Sequence, residues 1–202
     1  MRSPSRSTEA GPDNFCYWDG RAATQPPPDA GRVYTSKMEF AKALRWWEPQ
    51  PLNDSLMSLV LRGEDCQIHG TASLGNKGFS FVNGVRMPHI GKVELGDRVE
   101  IGAFTTVDRA VVGSTRLGDD VKVDAHVHIG HNATIGARTH ITAGAIIGGS
   151  AIIGSDCYIG LGAIIRNKVT VGDCVTIGMG SVVVKDVPSY QTIAGNPAKE
   201  LM

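Results

Sequence analysis

The sequence carries no net charge, because 20 Lys and Arg offset 20 Asp and Glu. That removes the electrostatic case for nucleic acid or an anionic membrane surface as a partner. No apolar run is long enough to span a bilayer, and the amino terminus lacks a signal-peptide core. A soluble, cytoplasmic protein without membrane insertion is therefore expected. The four cysteines, Cys16, Cys66, Cys157 and Cys174, show no metal-site spacing, and no metal is expected. Glycine is plentiful, at 25 residues, and it accompanies a repeat that fits neither the helical period nor strand alternation.

From Leu117 to Pro188 the chain reads in sixes. Leu117, Val123, Ile129, Ile135, Ile141, Ile147, Ile153, Ile159, Ile165, Val171, Ile177 and Val183 share one phase, and each is Leu, Ile or Val. Four residues after each anchor comes a small or β-branched side chain, from Val121 and Val127 through Cys157 to Val187. The first and fifth positions of each hexad therefore face inward, and the third and fourth take a corner. Corners need positive φ or tight turns, which suits Asp120, Asn132, Gly144, Ser150, Asp156, Gly162 and Gly180 at the fourth position. One hexad cannot bury its own apolar face, so successive coils must stack as parallel strands about 4.8 Å apart. The fold class is all-β, a parallel β-solenoid of about six coils, roughly 29 Å long. Cys157 falls at an inward position and reads as a buried, reduced thiol.

The ends differ from the middle. Residues 1–34 are rich in Ser, Pro, Gly and charge, with Pro26 to Pro28 consecutive, and read as a flexible arm. Ser36 and Glu39 have capping-box spacing, so a short helix is expected to Trp47, before Pro49. Leu56 to Leu61 also leans to helix, giving a helical cap over 35–64 against which Trp46 and Trp47 pack the first coil. The solenoid then runs over 65–188, starting with Ile68 and Leu74 six apart. A loop interrupts it at 76–88, where Phe79 to Met87 reads as a hairpin turning at Asn83–Gly84. The period resumes at Leu95, Ile101 and Val107, with about four residues inserted near Gly113. Residues 189–202 form a tail containing Gly195 to Lys199, GNPAK.

Two sets of motifs resemble a known superfamily. Hexads of this kind resemble those of the left-handed parallel β-helix acyltransferases, whose triangular coils hold three hexads each. The left hand is implied by that resemblance, against the usual right-handed crossover rule. The ending GSVVVKDVPS with GNPAK resembles acetyltransferases of the superfamily. From Gly78 to Ile153, GFSF, PHIGKVELGDRVEIGAFTTVDRA, VDAHVHIGHNATIG and GGSAIIG are similar to the UDP-3-O-acylglucosamine N-acyltransferases of lipid A synthesis.

The resemblance implies a site. Of the clustered histidines His126, His128, His131 and His140, His131 in IGHN matches the family's catalytic general base, and imidazole ordinarily titrates near 6.5. One coil is eighteen residues, so Gly149 stacks above His131 and Asn167 above Gly149. Gly149 matches the family's oxyanion donor, and a glycine N–H is accessible where no side chain intrudes. Asn167 departs from the family, which has a histidine there. Asp124 and Asn132 match positions of catalytic support, with a turn cap the other reading of Asp124. Asp108 matches a family position and is assigned to substrate binding, though a purely structural role is open. Phe79 and Phe81 correspond to a loop near the family's active site and are assigned to substrate. Arg166, Asn167, Lys185 and Lys199, with Lys168, are candidates for the phosphates of acetyl-CoA.

The resemblance also sets the expected function. The lipid A enzymes carry an amino-terminal domain that grips uridine and a helical extension that engages acyl carrier protein. The arm is too short for the first, and GNPAK stands in place of the second. The expectation is an N-acyltransferase moving acetyl from acetyl-CoA to a nucleotide-linked amino sugar for cell-surface polysaccharide or lipopolysaccharide. Alternatives are the lipid A enzyme itself with acyl carrier protein, a γ-type carbonic anhydrase using His126 and His131, and an inactive assembly platform. A homotrimer is expected from the sixth hexad positions. His128, Ile146, Ile164 and Val182 form an outward column that is apolar for three coils, widened by Leu161 and Met179.

Overall fold

The computed structural model describes residues 59–201 and the two-residue strands Phe15–Cys16 and Val33–Tyr34. Three parallel sheets account for the solenoid, and each strand pairs with the strand one coil away. The first face stacks Val60–Arg62, Lys92–Leu95, Ser114–Leu117, Thr134–Ile135, Ile152–Ile153 and Thr170–Val171. The second runs from Gln67–Ile68 through Lys122–Val123 and His140–Ile141 to Thr176–Ile177. The third stacks Ser73–Lys77, Thr106–Arg109, His128–Ile129, Ile146–Ile147, Ile164–Ile165 and Val182–Val183. This is a left-handed parallel β-helix of six coils.

The inward anchors form one column of buried aliphatics, with Ile129, Ile147, Ile159 and Ile177 fully buried. The fifth positions between them are Val, Ala, Thr, Ser and Cys, small enough to fill the corners without forcing the coils apart. Corners turn through positive φ at the fourth position, including Asp120, Asn132, Ser150, Asp156 and Lys168. Stacked corner residues pair where charge allows: Arg98 grips Asp120, and Arg138 grips Asp156, through two bonds of 2.7–2.8 Å each. The guanidinium in each pair holds its carboxyl below the usual carboxylate range.

Two interruptions shape one end. The pairing of Lys92 with Ser114 and of Val107 with Ile129 spans 22 residues, whereas Ile129 to Ile147 spans eighteen. The extra residues bulge as 110–113 at the corner after the third face. Residues 79–88 carry a hairpin of Phe81–Val82 and Val85–Arg86, and belong with 1–51 to a compact unit separate from the solenoid. Asn83 and Gly84 at its tip both have positive φ.

Several boundaries differ from the sequence reading. Val60–Arg62 is a strand paired with Val93–Leu95, not the end of a helical cap over 35–64, so the coils begin before residue 65. An apolar run as short as Leu56 to Leu61 has no decisive periodicity, and the free edge of the first face supplies Val60–Arg62 with partners. At the other end Thr192–Gly195 joins the second face beside Thr176–Ile177. The coil therefore runs past 188 before Ala198–Glu200 folds back antiparallel. Phe15–Cys16 pairs antiparallel with Val33–Tyr34 within the arm over 1–34. The expected helix from Ser36 to Trp47 and the packing of Trp46 and Trp47 lie outside the described residues.

Candidate active site

His131 sits at the corner after the third face, where the 110–113 bulge meets the coils. The strand His128–Ile129 ends in Gly130, and positive φ at Asn132 turns the chain, leaving the His131 imidazole half-exposed at the edge. Asn132 ties this corner to the bulge. Its Oδ1 accepts from Val111 N–H at 2.9 Å, its Nδ2 donates to Val112 carbonyl at 2.9 Å, and its N–H donates to Thr115 Oγ1 at 2.8 Å. Those two amide bonds fix which end of the side chain is oxygen. His131 Nδ1 lies 3.1 Å from that same Oδ1, so Nδ1 carries the hydrogen. The lone pair of the neutral ring is thereby left on Nε2.

Glycines close on both sides of the ring. A Cβ at Gly149 would stand 2.9 Å from His131 Nε2, and one at Gly78 would stand 3.0 Å from His131 Cδ2. Ser150 N–H donates to His131 carbonyl at 2.8 Å, which sets Gly149 one coil above. The Gly149 N–H has no acceptor among the described residues. The His89 ring stands edge-on to His131 with centroids 5.2 Å apart and is only 2% exposed.

Asp108 completes the cluster from the coil below. Its Oδ2 is 3.9 Å from His128 Nε2, and its side chain is 13% exposed. Burial pushes its pKa above the ordinary carboxyl value, with His128 and His131 pulling the other way. His128 Nδ1 is in turn 2.8 Å from Thr106 Oγ1.

His131, Gly149, Asn132 and Asp108 are thus brought together. Arg166, Asn167, Lys168 and Lys185 are exposed along the same corner on the next coils, where Lys168 N–H donates to Gly149 carbonyl at 3.0 Å. Lys199 is not with them, because Ala198–Glu200 extends the second face. Asp124 also lies elsewhere in the chain. It sits at the corner after the second face, where its Oδ1 accepts from Ala125 N–H at 2.7 Å, so within the chain it caps a turn and does not orient His131. His126 occupies that corner too, stacked on Phe104 with centroids 5.1 Å apart, and therefore shares no site with His131 within one chain. His140 is on the second face. Phe79 and Phe81 belong to the separate hairpin unit, edge-to-face at 5.0 Å, with the Arg86 guanidinium 4.8 Å above Phe81. The sequence reading assigns no role to His89 or Gly78, which stand against the His131 ring. The only sequence signal for them is their place in the PHIG and GFSF motifs.

Residues 114–149 match the bacterial transferase hexapeptide family (six repeats), and residues 150–185 match the hexapeptide repeat of succinyl-transferase. A UDP-3-O-acylglucosamine N-acyltransferase of Shewanella denitrificans is 48% identical over 88 residues, covering 42% of this chain and 26% of the relative. A counterpart from Chlorobium chlorochromatii is 48% identical over 83 residues, 39% of this chain and 23% of the relative. The matched stretch is about a quarter of the length of these curated relatives. A crystal structure of a UDP-N-acetylglucosamine acyltransferase superposes with TM-score 0.65 at 25% identity, covering 70% of this chain and 54% of that one. Residues 114–185 thus match hexapeptide-repeat models, and part of the chain is similar to the UDP-3-O-acylglucosamine N-acyltransferases.

Proposed function

We propose that the protein is an N-acyltransferase that moves an acetyl group from acetyl-CoA to the amine of a nucleotide-linked amino sugar. The observation that carries this reading is the His131 ring facing Gly149 through its Nε2 edge, with the Gly149 N–H without an acceptor among the described residues. Asn132 holds the imidazole in the tautomer a general base needs. As the amine nitrogen adds to the thioester carbonyl, Nε2 takes its proton. The carbonyl oxygen becomes an oxyanion and accepts from the Gly149 N–H, an interaction worth about 3 kcal/mol in comparable sites. Collapse breaks the carbon–sulfur bond, and the departing thiolate recovers the proton from the imidazolium. No covalent enzyme intermediate is formed.

Charges around the ring suit that sequence. The carboxylate of Asp108 favours the imidazolium that forms as the neutral amine adds. Arg166, Lys168 and Lys185, beside Asn167, meet the phosphates of coenzyme A along the same corner. The GNPAK ending supports acetyl as the transferred group.

The working form is a cyclic trimer. Ile146 and Ile164 are 42% and 39% exposed on the third face, with Leu161 and Met179 beside them at 51% and 76%. An apolar stripe of that extent marks an interface, and a prism with one sticky face closes most simply as a trimer. His131 borders the stripe, so catalysis takes place at the subunit boundary.

The identity to the lipid A enzymes favours a second reading, with a long acyl chain delivered by acyl carrier protein. A donor screen separates the two. Acetyl-CoA and long-chain acyl-acyl carrier protein are each offered with a panel of nucleotide-linked amino sugars. Turnover confined to acetyl-CoA is expected, and turnover confined to the carrier-protein donor would replace the first reading with the second.

A further inference from the structure

Arg109 is 9% exposed, and its Nε is sealed from solvent without a hydrogen-bond partner among the described residues. No carboxylate among the described residues acts on it, and burial pulls its pKa down. A buried, uncompensated guanidinium is costly, so such groups are normally paired with an anion. The position of this one is informative. Val107 pairs with Ile129, which brings Arg109 to the same corner as His131, one coil earlier. On its other side Arg109 is the Cα partner of Lys77, an exposed cation with no ion pair among the described residues. Lys77 is followed directly by Gly78, which touches His131. Two cations that form no ion pair among the described residues, not even with neighbouring Asp108, thus stand beside the base, on the side away from Gly149 and Lys185.

We infer that Arg109 and Lys77 form a pyrophosphate-binding site for the nucleoside diphosphate of the acceptor. A guanidinium fork binds two phosphate oxygens at once, and an ammonium adds a mobile point charge. Together they offset the two negative charges that a diphosphate diester carries. The anions of coenzyme A meet the basic residues of the later coils instead, so donor and acceptor approach His131 from opposite ends of the corner. The assignment to the acceptor rests on the proposed function; the anion site does not.

Calorimetric titration of the full chain with inorganic pyrophosphate, UDP and coenzyme A tests it, using the intact protein, Arg109→Met and Lys77→Ala. Arg109→Met should weaken pyrophosphate and UDP binding by about tenfold or more, and Lys77→Ala by a few-fold, with coenzyme A unchanged. In the absence of anions Arg109→Met should melt no lower than the intact protein, because it removes an uncompensated buried charge. Pyrophosphate should raise the melting temperature of the intact protein but not of the Arg109 variant. The site is overturned if the intact protein does not bind pyrophosphate, or if both variants bind it as well as the intact protein does. It is also overturned if Arg109→Met impairs coenzyme A in place of UDP. An Arg109→Met protein that melts lower or does not fold makes Arg109 structural and refutes the proposal as well. Binding through Arg109 in a protein with no acyl transfer would sink the proposed function and leave the anion site standing.

Discussion

At the scale of single residues, the His131 ring is defined by what lies against it. Gly149 lacks the Cβ that would stand 2.9 Å from Nε2, and its φ is not in the left-handed region, so alanine is acceptable to the backbone there. Gly149→Ala should therefore fold normally yet lower turnover by about a hundredfold, because the backbone N–H remains but the added Cβ displaces the base and crowds the approach to that donor. Circular dichroism with steady-state kinetics checks both halves, and unimpaired turnover would remove Gly149 from the site. Cys157 gives an independent test of the packing. It is 2% exposed, burial raises its thiol pKa, and its Sγ donates to Gly172 carbonyl at 3.1 Å. Cys174 is exposed on the same coils. Native alkylation followed by peptide mapping should find Cys174 modified and Cys157 protected until the protein is unfolded. The stacking of Gly149 on His131 was legible in the sequence because an eighteen-residue coil converts spacing into stacking. For Asp124 the sequence left imidazole support and a turn cap both open, and seven residues separate it from His131. That is more than one side of the triangle, so the phase already places the two at different corners. His89 and Arg109 had no such handle, since both lie where insertions break the period.

At the scale of elements, the hexads specify the faces and corners almost unaided, because each inward position must be aliphatic and each corner must turn. Shortening a central anchor should leave a cavity that neighbours on the coils above and below cannot close. Ile147→Ala should thus cost about 2–5 kcal/mol, measurable by denaturant unfolding. A cost below 1 kcal/mol would mean the coils collapse around the gap. The edge strand Val60–Arg62 was less legible, because its partners, and not its own pattern, make it a strand. The first face also carries a charge network that predicts a pH dependence. Glu94 bonds Lys92 and Arg116 at 2.9 Å each, and the Lys92 hydrogen bond leads in lowering its pKa to about 2. A carboxyl whose folded pKa lies below its unfolded one, about 4.5, stabilises above that pH. That contribution disappears as pH falls through about 2. Being partly exposed, the network is worth on the order of 1 kcal/mol. Glu94→Gln should be less stable than the intact protein at pH 7, with the gap narrowing from about pH 4.5 towards 2. A gap that does not change with pH would show that the network contributes no charge-dependent stability.

At the scale of the whole molecule, the account joins assembly to catalysis. Ile164→Asp places a charge in the exposed apolar stripe of the third face and should dissociate the trimer and abolish turnover together. Light scattering and activity on one sample check this, and an active monomeric variant would separate the two. The central claim, however, is acyl transfer with His131 as base. It is tested most directly by following coenzyme A release from acetyl-CoA in the presence of nucleotide-linked amino sugars, for the intact protein and His131→Ala. The account predicts amine-dependent release that falls by about a hundredfold to ten-thousandfold in a variant that still folds. Release at the same rate in His131→Ala, or no amine-dependent release from the intact protein with any sugar of the panel, would contradict it.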